Sequence, residues 1–280
     1  MERRNNISVG KIAIKVLVVL VLVMEVYPIL WMLMASFKTP SEFAVMPSYS
    51  LPQHFYYQNY IKAWSTGQMS LFFKNSFIDT FISLFFITIF SVTASFAIAK
   101  MKWRFRKPVM TIFAMGITVP VTIVLIPLFI MYHQLNLLNT YFCLILTYTG
   151  FGLSLSIFLL VSYFSYVPNE IMESAVIDGC NIYKMLISIV LPLVKNAIVT
   201  IIVLQFFFNW NDLIFSMTFI SETSLKTIQT GLMYFSDEYG QKDWGAIFAS
   251  VSISIMPMLI LYGFLNKMVI EGMTAGAVKG

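Results

Sequence analysis

Long apolar runs broken by short polar segments organise this chain. After a basic start at 1–15, residues 16–35 are apolar except for Glu25 and Pro28. A loop at 37–74 follows, with Pro40, Pro47, Pro52 and the aromatics Phe55, Tyr56, Tyr57, Tyr60 and Trp64. Such rings favour the membrane–water interface. Further apolar runs cover 75–99, 109–132, 141–164, 191–219 and 244–265. Each is long enough for a helix to cross a bilayer, which takes about 20 residues. The pattern therefore predicts an all-α polytopic membrane protein with six transmembrane helices. Pro120 and Pro127 predict kinks in the third, and Gly150 and Gly152 predict close helix approach at the fourth. The first run is too long for the core of a cleaved leader, and no small-x-small site closes it, so it is expected to stay as a span. Glu25 is expected to face the protein interior or to be satisfied at a helix contact.

Composition agrees with this reading. Of 280 residues, 59% are hydrophobic and 11% charged, against about 25% charged in an average soluble domain. The net charge of +5 is no nucleic-acid signature, because the cations flank apolar spans instead of forming a separate patch. Their placement sets orientation. Arg3, Arg4, Lys11, Lys15, Lys100, Lys102, Arg104, Arg106, Lys107, Lys184, Lys195, Lys267 and Lys279, 13 of the 18, share one side of a six-span topology. The positive-inside rule makes that side, with both termini and the segment at 165–192, cytoplasmic. The expected organisation is a cytoplasmic amino terminus (1–15), a transmembrane domain (16–270) and a cytoplasmic tail (271–280). Cys143 and Cys180 have no partner at metal-ligand spacing, and His54 and His133 lie far apart, so no metal site, disulfide framework or catalytic constellation is indicated. No G-x-x-x-x-G-K-[ST] run occurs, so the chain is not itself expected to bind ATP.

One polar interruption stands out, the stretch at 170–192. It reads as two short helices with a break. Pro168 and Glu170 suit a helix start, Gly179 can end the first helix in a left-handed conformation, and Asn181 can cap the second. On a helical wheel Met172, Ala175, Val176 and Gly179 share one face, while Glu170, Glu173, Ser174 and Asp178 lie opposite, with Ile177 as the exception. Such amphipathicity serves a lipid surface and a protein partner alike. A second cluster, Asn209, Trp210, Asn211 and Asp212, falls towards the end of the fifth run. It is a candidate for a solute pathway, since amides and an acid within a span face a cavity or another helix. A helix-packing network is the competing account.

The run Glu173-Ser174-Ala175, three residues, Gly179, nine residues, Ile189-x-Leu191-Pro192 resembles the EAA loop of ABC importer permeases. Ser174 replaces the first alanine and Cys180 stands where alanine is common; both are small. Pro120, Ile126-Pro127-Leu128 and Leu137-Leu138-Asn139-Thr140 resemble the sugar-importing branch, as do Leu51-Pro52-Gln53, Asn59-Tyr60 and Ala63-Trp64. The ending Thr274 to Gly280 is similar to the tail of the maltose-type second permease subunit. The resemblance implies a MetI-like, type I ABC importer permease fold in a bacterial cytoplasmic membrane. It implies a coupling helix at Glu170, Glu173, Ser174, Ala175, Asp178 and Gly179, seated in a cleft of a cytoplasmic ATPase. It also implies a tail, Gly276, Ala277, Val278, Lys279 and Gly280, reaching the ATPase dimer interface. The implied partners are a second homologous permease, two copies of an ABC ATPase that carry the ATP and Mg, an extracytoplasmic solute-binding protein meeting the loops at 37–74 and 220–243, membrane lipid and a sugar. This chain would hold no cofactor itself. An ABC permease for glycerol phosphate or polyamine is an alternative, and an integral-membrane enzyme a more distant one.

Overall fold

The computed structural model describes residues 9–237 and 243–277, and among these no strand occurs. Five helices are long and apolar enough to cross a membrane: 10–35, 69–100, 141–165, 182–210 and 244–268. A bent pair, 106–117 and 121–134, brings the number to six if it is one span. The chain divides into two compact units, 1–69 with 232–255, and 70–231 with 256–280.

The first unit contains α1 (Val9–Ala35), α2 (Pro40–Val45), α3 (Gln58–Trp64) and the first turns of a long helix that begins at Trp244. From Gly10 to Leu30, α1 is exposed on every face. Glu25 is therefore exposed among the described residues and not turned to the protein interior, one of its two expected placements. After α1 the chain becomes tightly bonded. Thr39 and Glu42 form a reciprocal capping box at α2, and the second carboxylate oxygen of Glu42 accepts from Gln53 N–H at 2.6 Å. Buried Lys38 donates to the carbonyls of Pro47 and Ser48 and to Ser50 Oγ. Asn59, fully buried on α3, donates to the carbonyls of Ser36 and Lys38 at 2.8 Å each. Gly245 has no room for a side chain because Asn59 lies against it. The loop expected at 37–74 is thus a built scaffold with two helices in it.

The second unit carries α4 (Met69–Lys100), α5 (Arg106–Ile117), α6 (Val121–Gln134), α7 (Tyr141–Ser165), α8 (Asn169–Ile177), α9 (Ile182–Lys184), α10 (Leu191–Trp210) and α11 (Ile214–Phe219). A 3-10 turn at Thr223–Leu225 leads to α12 (Ile228–Asp237), whose last residues and the start of α13 (Trp244–Ala277) belong to the first unit. Helices α4 and α7 run parallel: Tyr141 OH donates to Asn75 Oδ1 at one end, and Ser95 Oγ to the Ile157 carbonyl further along. Small and polar residues line the buried side of α4, among them Asn75, Ser76, Asp79, Ser83, Ser91 and Ser95. Gly152 lets α4 and α10 close on α7, since a Cβ there would come within 2.5 Å of Ile87 Cδ1 and 3.0 Å of Gln205 Oε1. Gly150 has open space and plays no such part.

Two spans depart from expectation. The third is broken, not kinked: α5 and α6 meet at 102°. Pro120 has no N–H to give and pushes Val119 out of the helical region, so the chain leaves α5 and restarts with Pro120 extended (φ −66°, ψ 132°). The fifth stops at Trp210, nine residues before the apolar run ends. There Asp212 accepts from the backbone N–H groups of Phe215 and Ser216 and starts α11 in place of another turn of α10.

Candidate functional site

The segment after α7 is shaped by its turn residues. Pro168 is extended (φ −60°, ψ 136°) and leads into α8, with Glu170 in the first turn. The end of α8 is a Schellman motif: Cys180 N–H bonds the Ala175 carbonyl at 2.9 Å and Gly179 N–H the Val176 carbonyl at 3.0 Å, with Gly179 at φ +76°. Asn181 Oδ1 then accepts from Lys184 N–H at 2.9 Å and caps α9. The next six residues, Met185–Val190, form a π-helical turn. Pro192 has no N–H for an α-helical bond, and the wider turn lets Leu191 donate to the Leu186 carbonyl instead.

Packing fixes which face of this segment is free. Ala175 is buried, and Met172, Cys180, Leu186 and Ile189 pack with it against Val92 and Phe96 of α4, Leu160 and Phe164 of α7, and Val194 and Ala197 of α10. Glu170, Glu173, Ser174, Asp178 and Gly179 are exposed. Val176, on the same face of the helical wheel as Met172 and Ala175, is nevertheless 60% exposed, and Ile177 beside it 85%. The reason is geometric. α4 and α7 reach only the Met172–Ala175 side of a helix that ends at Ile177. The outcome is an exposed surface that carries the carboxylates of Glu170, Glu173 and Asp178 together with Val176 and Ile177, held from behind by α4, α7 and α10.

The four residues at 209–212 separate into different roles. Trp210 is fully buried, stacked on Phe206 at 5.4 Å and edge-on to Phe73. Asn211 Nδ2 bonds the Phe207 carbonyl and Met258 Sδ. Asp212 accepts from Tyr148 OH at 2.9 Å besides its two backbone bonds. Only Asn209 keeps a buried amide nitrogen with no hydrogen-bond partner. Asn209 and Asp212 border a cavity of about 350 Å³, together with Tyr148, Gln205 and the broken backbone at Gly116 and Val119. Gln205 is tied to α7 through the Gly152 carbonyl and Ser156 Oγ. Most polar groups of this cluster are thus occupied in joining helices.

Three residues near these sites escape a reading of the sequence. Asp79 is buried with both carboxylate oxygens lacking a hydrogen-bond partner. Its signal is a lone acid inside an apolar run. Gln205 gives the same kind of signal. Lys100 is hidden among the cations at 100–107, which speak only of orientation. Of the tail, Gly276 and Ala277 are the last residues of α13, and Val278, Lys279 and Gly280 lie outside the described residues. Among the described residues no three His, Cys, Asp or Glu side chains gather where they could hold a metal ion.

The pattern of the family described as binding-protein-dependent transport system inner membrane component matches residues 91–274. The chain belongs to that family. It is a multi-pass permease subunit of the bacterial cell membrane and not an enzyme. Relatives align over almost the whole permease. A probable ABC transporter permease protein of Bacillus subtilis is 32% identical over 99% of this chain and 91% of its own length. A sulfoquinovosyl glycerol transport system permease protein of Agrobacterium fabrum is 32% identical over 93% and 91%. A trehalose/maltose transport system permease protein of Thermococcus litoralis is 30% identical over 94% of both chains. In three dimensions the permease resembles a chain of a bacterial ABC transporter involved in the import of alginate, with a TM-score of 0.82 over 95% of this chain and 98% of that one. At 21% identity this likeness concerns the fold.

Proposed function

We propose that this chain is one of two homologous permease subunits of an ATP-driven sugar importer, and that α8 with the turn at Asp178 and Gly179 docks into a cytoplasmic ATPase. One observation carries the reading: the exposed surface of α8, which bears Glu170 and Glu173, is packed from behind against α4, α7 and α10. A force applied at Glu170, Glu173, Ser174 or Asp178 reaches three spans at once, as coupling requires. Sugar as the solute rests on the transport systems for which the Agrobacterium and Thermococcus relatives are named.

In this reading α5 and α6 form one broken span, giving six spans with both termini in the cytoplasm. Two ATPase copies bind the ATP and Mg, and this chain holds no cofactor. The solute-binding protein meets the loops at 37–74 and 220–243, and Gly276 to Gly280 reach the ATPase. Asn209 and Asp212 border the solute path, whereas Trp210 and Asn211 shape it.

The test is purification of the complex with Glu173→Lys or Ala175→Asp. The first reverses a charge on the docking surface, and the second forces an acid into the packed face. Loss of ATPase co-purification or of uptake, with normal membrane insertion, is expected. Unchanged uptake in both variants would refute the docking role. Cysteine labelling of the loop at 136–139 from outside only would support six spans.

A further inference from the structure

Lys100 is the last residue of α4, and its ammonium spends all three protons on the neighbouring segment. It donates to the carbonyls of Val167 at 2.5 Å and Ser165 at 3.5 Å, and to Asn169 Oδ1 at 3.0 Å. Ser165 ends α7 and Asn169 begins α8. Carbonyls at a helix end have no partner within the helix, so a cation from another element both satisfies them and fixes the exit direction of the chain. The carboxylate of Glu170 lies close enough to attract the same ammonium. One side chain therefore joins α4, the end of α7 and the start of α8. The end of α4 is itself held firm by Trp103 Nε1, which donates to the Ala97 carbonyl at 2.9 Å.

The opposite end of α4 carries a second latch. Asn75 Nδ2 donates to the carbonyls of Ser224 and Lys226 at 2.9 and 3.0 Å, and its Oδ1 accepts from Tyr141 OH. Ser76 Oγ accepts from Ile228 N–H at 2.8 Å. Asn75 is fully buried and Ser76 nearly so. Between Asn75 and Lys100 the helix is unbroken for 25 residues, about 37 Å at 1.5 Å per residue. It contains no proline and no glycine at which to flex.

We propose that α4 is a strut latched at both ends, and that Lys100 is the positioning residue through which movement of α8 reaches the loop at 224–228 across the membrane. The inference rests on the docking role of α8. An unbroken helix transmits axial and tilting displacement, whereas the turns that join α7 to α8 would absorb it. The latch at Lys100 bypasses those turns, because its donors engage both sides of them. At the far end the 3-10 turn Thr223–Leu225 is gripped through main-chain atoms, so the loop follows the helix whatever its side chains do.

The test uses the whole complex in nanodiscs, with hydrogen exchange at residues 224–231 measured without nucleotide and with ATP plus vanadate on the ATPase. The natural protein is expected to show a nucleotide-dependent change there. Lys100→Met should shrink that change about tenfold, the worth of one charge-assisted hydrogen bond, while the ATPase remains bound. Lys100→Arg should restore it. A purely structural role for Lys100 would alter yield or baseline exchange and leave the nucleotide response intact. A full response in Lys100→Met with ATPase bound overturns the strut and leaves the docking role standing. An ATPase that never co-purifies with the natural protein overturns both. If Lys100→Met yields no complex, Asn169→Ala decides, since it cuts only the exposed contact to α8: a reduced response supports the strut and an undiminished one refutes it.

Discussion

The turn at Gly179 allows a quantitative test of what the proposed docking of α8 requires. Gly179 stands at φ +76°, and a Cβ built there meets nothing within 4 Å. Substitution is therefore resisted by backbone conformation alone and not by steric overlap with the rest of the chain. A left-handed conformation costs an L-residue roughly 1–2 kcal/mol, less for asparagine and more for a β-branched residue. The bonds from Gly179 N–H to Val176 and from Cys180 N–H to Ala175 close the end of α8 and oppose escape from that conformation. In Gly179→Ala the correctly turned segment should lose about 1–2 kcal/mol, a fivefold to thirtyfold fall in its population relative to frayed forms. Gly179→Asn should stay near the natural protein, and Gly179→Val should fall below alanine. The assay is uptake per ATP hydrolysed by the reconstituted complex, read beside ATPase co-purification. An order of glycine, asparagine, alanine, valine supports the backbone argument. Asparagine as damaging as valine would refute it, since two side chains of such different left-handed cost would then act alike.

Further predictions concern stability and pH. Gly231→Ala should lower stability by about 1–3 kcal/mol, because the new Cβ overlaps the fully buried Phe72 ring and ring and backbone must shift apart; an unchanged melting temperature of the purified chain would contradict this. Asp79→Leu should raise stability by about 1 kcal/mol or more, since it replaces two buried carboxyl oxygens that have no hydrogen-bond partner by an apolar group of similar size; a lower melting temperature would count against it. For Glu42 burial works to raise the pKa, but the N–H groups of Thr39 and Gln53 and the Thr39 hydroxyl outweigh it and hold the carboxyl below its ordinary 4.5. A depressed folded-state value means that this stabilisation is complete above about pH 4.5 and fades as pH falls through the lower folded value. Glu42→Gln should therefore lose stability at neutral pH and show a smaller acid-induced loss than the natural protein, by thermal melting across pH 3 to 7.

Much of α7 and of the α8–α9 segment is legible in the sequence because local chemistry decides it. The fourth apolar run, 141–164, matches α7 to one residue. Gly179 and Asn181 act at the positions where turn and cap chemistry put them, since a positive φ and an exposed helix start depend on the residue itself. Less is legible where neighbours decide. Pro120 is compatible with a kink or with a complete break, and only the packing around α5 and α6 selects the break of 102°. Asn211 and Asp212 read as polar residues within a span, yet Asp212 ends the run by bonding to Phe215 and Ser216. The exposure of Val176 reflects which helices reach α8, a fact absent from its own periodicity. Lys100 was hidden by its company: among five cations in eight residues, nothing but the position of the α7 carbonyls distinguishes it.

The break between α5 and α6 also shows how a chain can turn sharply and keep its donors bonded. Thr118, Val119 and Pro120 are exposed. Thr118 N–H bonds the Met115 carbonyl, Val119 N–H bonds the Gly116 carbonyl, and the Pro120 carbonyl accepts from Ile123 N–H. Pro120 itself has no N–H to leave over. The 102° turn therefore exposes no unpaired N–H at these three residues, the kind of group that hydrocarbon penalises.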